Sequence, residues 1–186
     1  MITENVLKIG QNMIDHIFEI LDEKKISGKF LYVSDPFVDK LYGQIVKEQL
    51  AELGRVKVEY VNNNTISYAM NLAERMIATD IDYIVGLGGG KVLDVCKYAA
   101  YISKRPFISV PTTMANDGIA SPIAVLKRKD GKPKSLGCAM AVSYTHLDVY
   151  KRQLEYQRMS QAENPYGDGL ASKRIVDTII ERFQKS

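Results

Sequence analysis

Cysteine and histidine are the scarce residues of this chain. Cys96 and Cys138 are the two cysteines among 186 residues, too few for a disulfide framework or a cysteine-built metal knuckle. Both are therefore expected as free thiols in the reducing cytoplasm. The two histidines, His16 and His146, stand far apart in sequence, and His16, on or beside an apolar helical stripe, reads as structural. Long apolar runs are missing too. No stretch reaches the roughly 20 residues needed to cross a bilayer, and "MITENVLKIG" has no long apolar core of the secretory kind, so neither a transmembrane segment nor a leader is expected. Positive charge is in slight excess only: 25 Lys and Arg against 22 Asp and Glu give a net charge of +3. No dense basic block is interleaved with aromatics, which argues against nucleic acid as a partner. The most basic run, "KRKDGKPK" (Lys127 to Lys134), carries Asp-Gly and Lys-Pro pairs that mark a solvated hairpin loop.

With 46% apolar and 25% charged residues, the composition is that of a soluble globular protein. The length suits one domain with a real core, or a domain with an appendage. "NMIDHIFEILDEK" sets Met13, Ile14, Ile17, Phe18 and Leu21 on one helical stripe. "FLYVSDP" is a β-rich run ended by Pro36, and "FVDKLYGQIVKEQLAELG" is a helix closed by Gly54. "VKVEYV" then reads as a strand, "SYAMNLAERMIA" as a helix and "DYIVGLGGG" as a strand running into glycines. "KVLDVCKYAAYIS" is another helix and "PFISVPTT" another strand. Such alternation argues for a parallel sheet covered on both faces, an α/β nucleotide-binding fold up to about Thr113. Beyond it, "SPIAVLKRKDGKPKSLGCAMAV" reads as two strands joined at Asp130-Gly131, a hairpin added to the sheet or its edge.

The glycines of "YIVGLGGGKVLDVCKYAA" fall at the end of an apolar strand and the start of a helix. In open α/β sheets ligands sit beyond the carboxyl ends of strands, where a helix N-terminus offers unsatisfied N–H groups to an anion. Gly88, Gly89 and Gly90 would let a pyrophosphate approach the backbone without β-carbons in the way; a flexible turn with no ligand is the alternative. The common dinucleotide fingerprint is not met, because read from Gly86 it needs glycine where Lys91 stands, and no Gly-Lys-Ser/Thr triplet makes a P-loop. Asp94, one helical turn on, could bind a ribose hydroxyl, orient the loop or cap the first turn.

"GLGGGKVLDVCKYAA" followed by "PFISVPTTMANDGIASP" resembles the sn-glycerol-1-phosphate dehydrogenase branch of the iron-containing alcohol dehydrogenase and dehydroquinate synthase superfamily. The likeness spans roughly residues 5 to 141. It implies NAD or NADP as cofactor and reversible hydride transfer between sn-glycerol 1-phosphate and dihydroxyacetone phosphate. It further implies an N-terminal nucleotide domain, a helical C-terminal domain with a catalytic divalent metal such as zinc, a small phosphorylated polyol or ketone as substrate, and a homo-oligomer. Residue by residue, the resemblance gives Gly88, Gly89 and Gly90 to the cofactor pyrophosphate, with Asp94 beside them. Thr112 and Thr113 fall to the nicotinamide side, Asp35 to the adenosine ribose, and Asp117, the catalytic candidate, to the substrate. An ionised carboxylate only accepts hydrogen bonds, which suits Asp117 to a substrate hydroxyl; a structural Asn-Asp-Gly turn is its alternative reading.

The chain also departs from that family. Relatives place one Asp and two His as metal ligands in the downstream helical domain, whereas this chain offers His16 and His146 alone. Without the metal's polarisation of the substrate oxygen, several kcal/mol of transition-state stabilisation would be missing, so cofactor-binding architecture without a complete catalytic centre is expected. "VSYTHLDVYKRQ" then reads as a linker-like string of the sort found at joins in misassembled sequences, and His146 inside it is not taken as a ligand. The closing "RMSQAENPYGDGLASKRIVDTIIERF" resembles the end of the non-hydrolysing UDP-N-acetylglucosamine 2-epimerases, with a tight "NPYGDG" loop and an amphipathic helix carrying Ile175, Ile179 and Phe183 on one side.

The expected organisation is therefore a truncated Rossmann-like unit over 1–141 with an added β-hairpin, a foreign linker over 142–153, and a loop and helix of unrelated origin over 154–186. The leading function is an NAD(P)-dependent glycerol-1-phosphate dehydrogenase, inactive as written. A glycerol or other polyol dehydrogenase of the same superfamily, a non-catalytic nucleotide-binding fragment and an epimerase fragment are the alternatives. The sequence leaves NAD against NADP, phosphorylated against free polyol, the metal and the oligomeric state open.

Overall fold

The computed structural model describes residues 6–11, 13–112, 121–138 and 143–148. The chain divides into two compact units, Met1–Asp148 and Val149–Ser186; the second, with the expected amphipathic helix carrying Ile175, Ile179 and Phe183, lies outside the described residues. The first unit begins with β1 (Val6–Gln11), a 3-10 turn (Met13–His16) and α1 (Ile17–Glu23). β2 (Gly28–Ser34) leads into a continuous helical stretch: α2 (Pro36–Val38), a π-helical turn (Asp39–Gly43) and α3 (Gln44–Leu53). β3 (Gly54–Tyr60), α4 (Ile66–Ala78), β4 (Tyr83–Gly88), α5 (Gly90–Ser103) and β5 (Phe107–Pro111) follow in strict alternation. The unit ends with β6 (Ile123–Lys127), β7 (Pro133–Gly137) and β8 (Ser143–Asp148).

Six strands form one parallel sheet in the order β1-β8-β5-β4-β2-β3. The alternation of side chains along each strand sends successive residues to opposite faces, and both faces of the strands β2, β4 and β5 are apolar and covered. On one face Phe30, Tyr32, Val85, Leu87, Ile108 and Val110 pack with Ile17, Leu21, Val46 and Leu50 from α1 and α3. On the other, Leu31, Val33, Ile84 and Phe107 meet the buried stripes of α4 and α5. Gly86 lies under α5, where a β-carbon would come within 3.0 Å of Cys96 Sγ and 3.1 Å of Phe107 Cε2. Glycine there lets helix and sheet approach closely, and Cys96 is sealed in the contact, its thiol pKa pushed well up by burial.

The sequence reading identifies the Rossmann-like sheet and the hairpin, and the structure adds to it in two places. The hairpin forms, with Val125 opposite Ser135 and a tight turn in which Gly131 takes φ +78°. It is a separate two-stranded sheet, however, and not an extension of the main one. Its inner residues Ala124 and Leu126 are fully buried in the cluster that contains α5, so burial of that face decides its place. Two polar ties hold it there. The buried Lys97 ammonium on α5 donates to the Ile123 carbonyl at 3.0 Å, and the Asp94 carboxylate accepts from the Val125 N–H.

The second addition concerns the ends of the sheet. β1 is not legible as a strand, and β8 falls inside the segment read as a linker. Yet β8 pairs with β1 over six residues, from Val6 opposite Ser143 to Gln11 opposite Asp148, and with β5 at Ile108 and Ser109. "SYTHLD" carries aromatic and β-branched residues that suit a strand but lacks the continuous apolar run that marks an interior parallel one.

Because Lys97 is buried and fixes the hairpin to α5, Lys97→Met should deprive Asp94 and the Ile123 carbonyl of that ammonium at a cost of roughly 3 kcal/mol. Hydrogen exchange should then show the amides of Ala124 and Leu126 exchanging at least tenfold faster, with those of Tyr83 to Val85 unchanged. Equal protection of the hairpin in both proteins would contradict this.

Candidate functional site

The strand order reverses between β2 and β4: β2 leads outward to β3, while β4 leads the other way to β5. Crevices at such reversals, beyond the carboxyl ends of the strands, are the ligand sites of open α/β sheets. The register brings those ends level, with Ser34 opposite both Tyr60 and Leu87, and Gly88 opposite Pro111. Asp35, Gly89 and Thr112, each one residue beyond its strand, are thereby gathered on one edge. Buried Ser34 ties β2 to β4 there, its hydroxyl donating to the Leu87 carbonyl at 2.8 Å. The Thr112 N–H donates to the Gly88 carbonyl at 3.0 Å and prolongs the β4–β5 pairing into the loop.

Gly88 takes φ +156°, and a β-carbon on it would fall 2.9 Å from Val92 Cγ2, so glycine is what allows β4 to turn directly into α5. Gly89 is the N-cap and has no side chain to satisfy the helix. Its carbonyl accepts from the Val92 and Leu93 N–H groups at 3.0 and 3.1 Å, while the N–H groups of Gly90 and Lys91 precede any intrahelical partner. A 14-residue helix thus presents donors and the positive end of its dipole to the crevice, behind residues without side chains. Lys91 in that first turn reaches back across the edge, its ammonium donating to the Asn62 carbonyl at 3.0 Å.

Asp35 caps the helix after β2, its Oδ1 accepting from the N–H groups of Phe37 and Val38 at 3.0 Å each. Four residues on lies a network that no local sequence pattern announces. Asp39, in the π-helical turn, accepts from the Tyr32 hydroxyl at 2.8 Å through Oδ1 and from the Tyr60 hydroxyl at 2.8 Å through Oδ2. The Lys47 ammonium adds a contact of 3.0 Å and lies 5.6 Å from the centre of the Tyr32 ring. Burial works to raise the Asp39 pKa, but the donors from Tyr32, Tyr60 and Lys47 outweigh it and hold the carboxyl below its ordinary value. Burial, with Asp39 beside it, pushes the Tyr32 phenol far up, so it remains a donor. Gly43 closes the same turn, and a β-carbon there would overlap Asp39 Oδ1 and come within 2.7 Å of the Tyr32 hydroxyl.

Asp94 is directed away from the open end of α5. It engages the Val125 N–H and lies 3.8 Å from the Lys97 ammonium, with burial raising its pKa and lowering that of Lys97. Thr113 and Asp117 lie outside the described residues. His16 is exposed and stands 3.8 Å from Glu19. Among the described residues no group of three or more His, Cys, Asp or Glu could hold a metal ion, and no helix is long and apolar enough to cross a membrane.

A family model for iron-containing alcohol dehydrogenases matches residues 8–143. The chain is 36% identical over 133 residues to a glycerol-1-phosphate dehydrogenase, named for NAD(P)+, from Sulfurisphaera tokodaii, a match covering 69% of this chain and 36% of that protein. It is 39% identical over 130 residues to the same-named protein of Thermofilum pendens, with the same two coverages. The chain thus spans little more than a third of the length of these relatives. Among solved structures, the NADH-dependent butanol dehydrogenase A of Thermotoga maritima superposes with a TM-score of 0.69 at 17% identity, over 82% of this chain and 46% of that one. A sulfoacetaldehyde reductase from Bifidobacterium kashiwanohense, crystallised with NAD+, gives 0.66 at 18% identity, over 77% and 44%. At those identities the likeness shows the fold.

Two stability measurements test the Asp39 network. Gly-to-Ala in a helix interior ordinarily stabilises by about 0.5–1 kcal/mol; Gly43→Ala should instead destabilise by about 1–3 kcal/mol in urea titration, because the added carbon displaces Asp39 and Tyr32. Since the Asp39 pKa is depressed by folding, its contribution is present above the unfolded carboxyl value of about 4 and is lost as pH falls through the folded value. Asp39→Asn should therefore be less stable than wild type at pH 7, and the gap should narrow below about pH 4.

Proposed function

Because this chain belongs to the iron-containing alcohol dehydrogenase family, we propose that its α/β unit is the dinucleotide-binding part of an NAD(P)-dependent oxidoreductase. The reaction we assign to the whole enzyme is reversible hydride transfer between sn-glycerol 1-phosphate and dihydroxyacetone phosphate. One observation carries the cofactor reading: the N-terminus of α5 lies at the strand-order reversal with no side-chain cap, behind Gly88, Gly89 and Gly90. The names of the two relatives at 36% and 39% identity support the substrate.

In this reading the backbone N–H groups at Gly89 and Gly90 hold the pyrophosphate, and Asp35 meets the adenosine ribose on the β2 side. Thr112 and Thr113 line the nicotinamide side, and Asp117 faces the substrate hydroxyl. Asp94 acts beside the loop by holding the hairpin to α5. When bound, the reduced nicotinamide supplies the hydride for the carbonyl carbon; the residues of this chain bind and orient. The family's divalent metal, which we take to be zinc, is not matched by any cluster of the described residues, so no step is drawn through it. A cytoplasmic location and a homo-oligomeric enzyme complete the proposal.

We also propose that the nucleotide unit, 1–141, is joined through 142–153 to a segment, 154–186, of separate, epimerase-like origin. The end of the family match at residue 143 supports that reading, while the pairing of β8 as far as Asp148 weighs against a break before that residue. An uninterrupted sequencing read through the gene decides it: divergence from native sequence near Val142 is expected, and a continuous native frame would overturn it.

Gly89→Val tests the cofactor site. Gly89 has φ −83° and ψ −174°, extended backbone that valine adopts readily, so the fold should persist while the side chain fills pyrophosphate space. Titration with NADH, followed by nicotinamide fluorescence, should show saturable binding by the wild-type chain and an affinity at least tenfold weaker, about 1.4 kcal/mol, in the variant. Equal affinity with an unchanged melting temperature would contradict the assignment.

A further inference from the structure

We infer that Asp39 is a positioning residue for the cofactor: together with Tyr32, Tyr60 and Lys47 it presets the turn after β2 that receives the adenosine half of the dinucleotide. The inference rests on the cofactor reading of this site. Its physical basis is the way one carboxylate joins three elements. Tyr32 belongs to β2, Tyr60 ends β3, Lys47 lies on α3, and all three converge on Asp39 within 2.8 to 3.0 Å. Asp39 is in turn bonded to the turn itself, its N–H donating to the Asp35 carbonyl at 2.9 Å. The Asp35 side chain caps the same short helix. Displacing Asp39 therefore moves Asp35.

The local helix geometry agrees with a built device. Residues 39–43 make a π-helical turn, a rare irregularity that bulges one residue out of the α-helical path and occurs often at functional sites. Here it brings the Asp39 carboxylate under the sheet edge, in space that exists because Gly43 has no side chain. Stability alone is a weak motive for such a network, since its bonds are partly exposed and ion pairs in contact with solvent contribute about 1 kcal/mol or less. Holding a loop in its bound geometry, by contrast, raises affinity by removing the ordering cost of binding. Phe37, 72% exposed, and Leu41, 56% exposed, show that the outer face of this stretch has little packing of its own, so that Val38 against the core and the Asp39 bonds on the inner face fix its position.

The test separates the two halves of the dinucleotide. Tyr60→Phe removes one donor at a partly exposed ring, and Asp39→Asn removes the charge. Asp39→Glu keeps the charge on a longer arm. ADP-ribose and nicotinamide mononucleotide are titrated by calorimetry into the full chain and each variant, with melting temperatures measured alongside. In wild type, ADP-ribose binds. Tyr60→Phe should weaken it about threefold and Asp39→Asn about tenfold, with partial recovery in Asp39→Glu and no change for nicotinamide mononucleotide. Equal ADP-ribose affinity across folded variants overturns the positioning role while leaving the cofactor site intact. Parallel loss of both ligands also overturns it, because a general loss of stability would then explain the effect. Failure of the wild-type chain to bind ADP-ribose removes the cofactor reading and this inference with it.

Discussion

The candidate site depends on the chain leaving the paired ends of β2 and β4 in opposite directions and on α5 beginning there. Parallel strands need crossover helices, and those crossovers bury both faces of the sheet. The carboxyl edge is then where a ligand can reach the backbone. Everything close to that edge serves the same geometry: Gly86 lets α5 lie close to β4, Gly88 allows the abrupt turn, and Ser34 ties the two strands together.

Polar residues within the unit fix elements in place. Lys97 and Asp94 hold the hairpin to α5, and Asp39 holds the turn after β2. One network is built on α5 and the other on the helical stretch after β2. Their chemistry differs. Asp39 gathers donors and stays ionised, with its pKa lowered, whereas Asp94 and Lys97 both shift toward their neutral forms under burial.

The helices and interior strands are legible in the sequence because their signals are local: apolar periodicity, the Pro36 stop after β2 and the glycines after β4. Gly88 to Gly90 at the end of β4 and Asp35 after β2 stand at the strand ends where the sequence puts them. What escapes is set by distant contacts. β8 is held by pairing with β1 and β5, not by its composition, and β1 is a strand because β8 lies beside it. Asp39 looks like any acid on an amphipathic helix until Tyr32 and Tyr60 are brought to it from two strands. Asp94 shows the limit of spacing arguments: one turn past the glycines it is near the loop in sequence, yet its carboxylate faces the hairpin, whose position no local pattern gives.

The central claim is that the first turn of α5 and the turn after β2 together receive a dinucleotide. Backbone amide shifts in a 15N-labelled chain, recorded as NADH is added, test it most directly. The account predicts the largest shifts at Gly89, Gly90 and Lys91, a second group from Asp35 to Asp39, and little change in the hairpin turn from Arg128 to Lys132. Shifts confined to other surfaces, or none at saturating NADH, would contradict it.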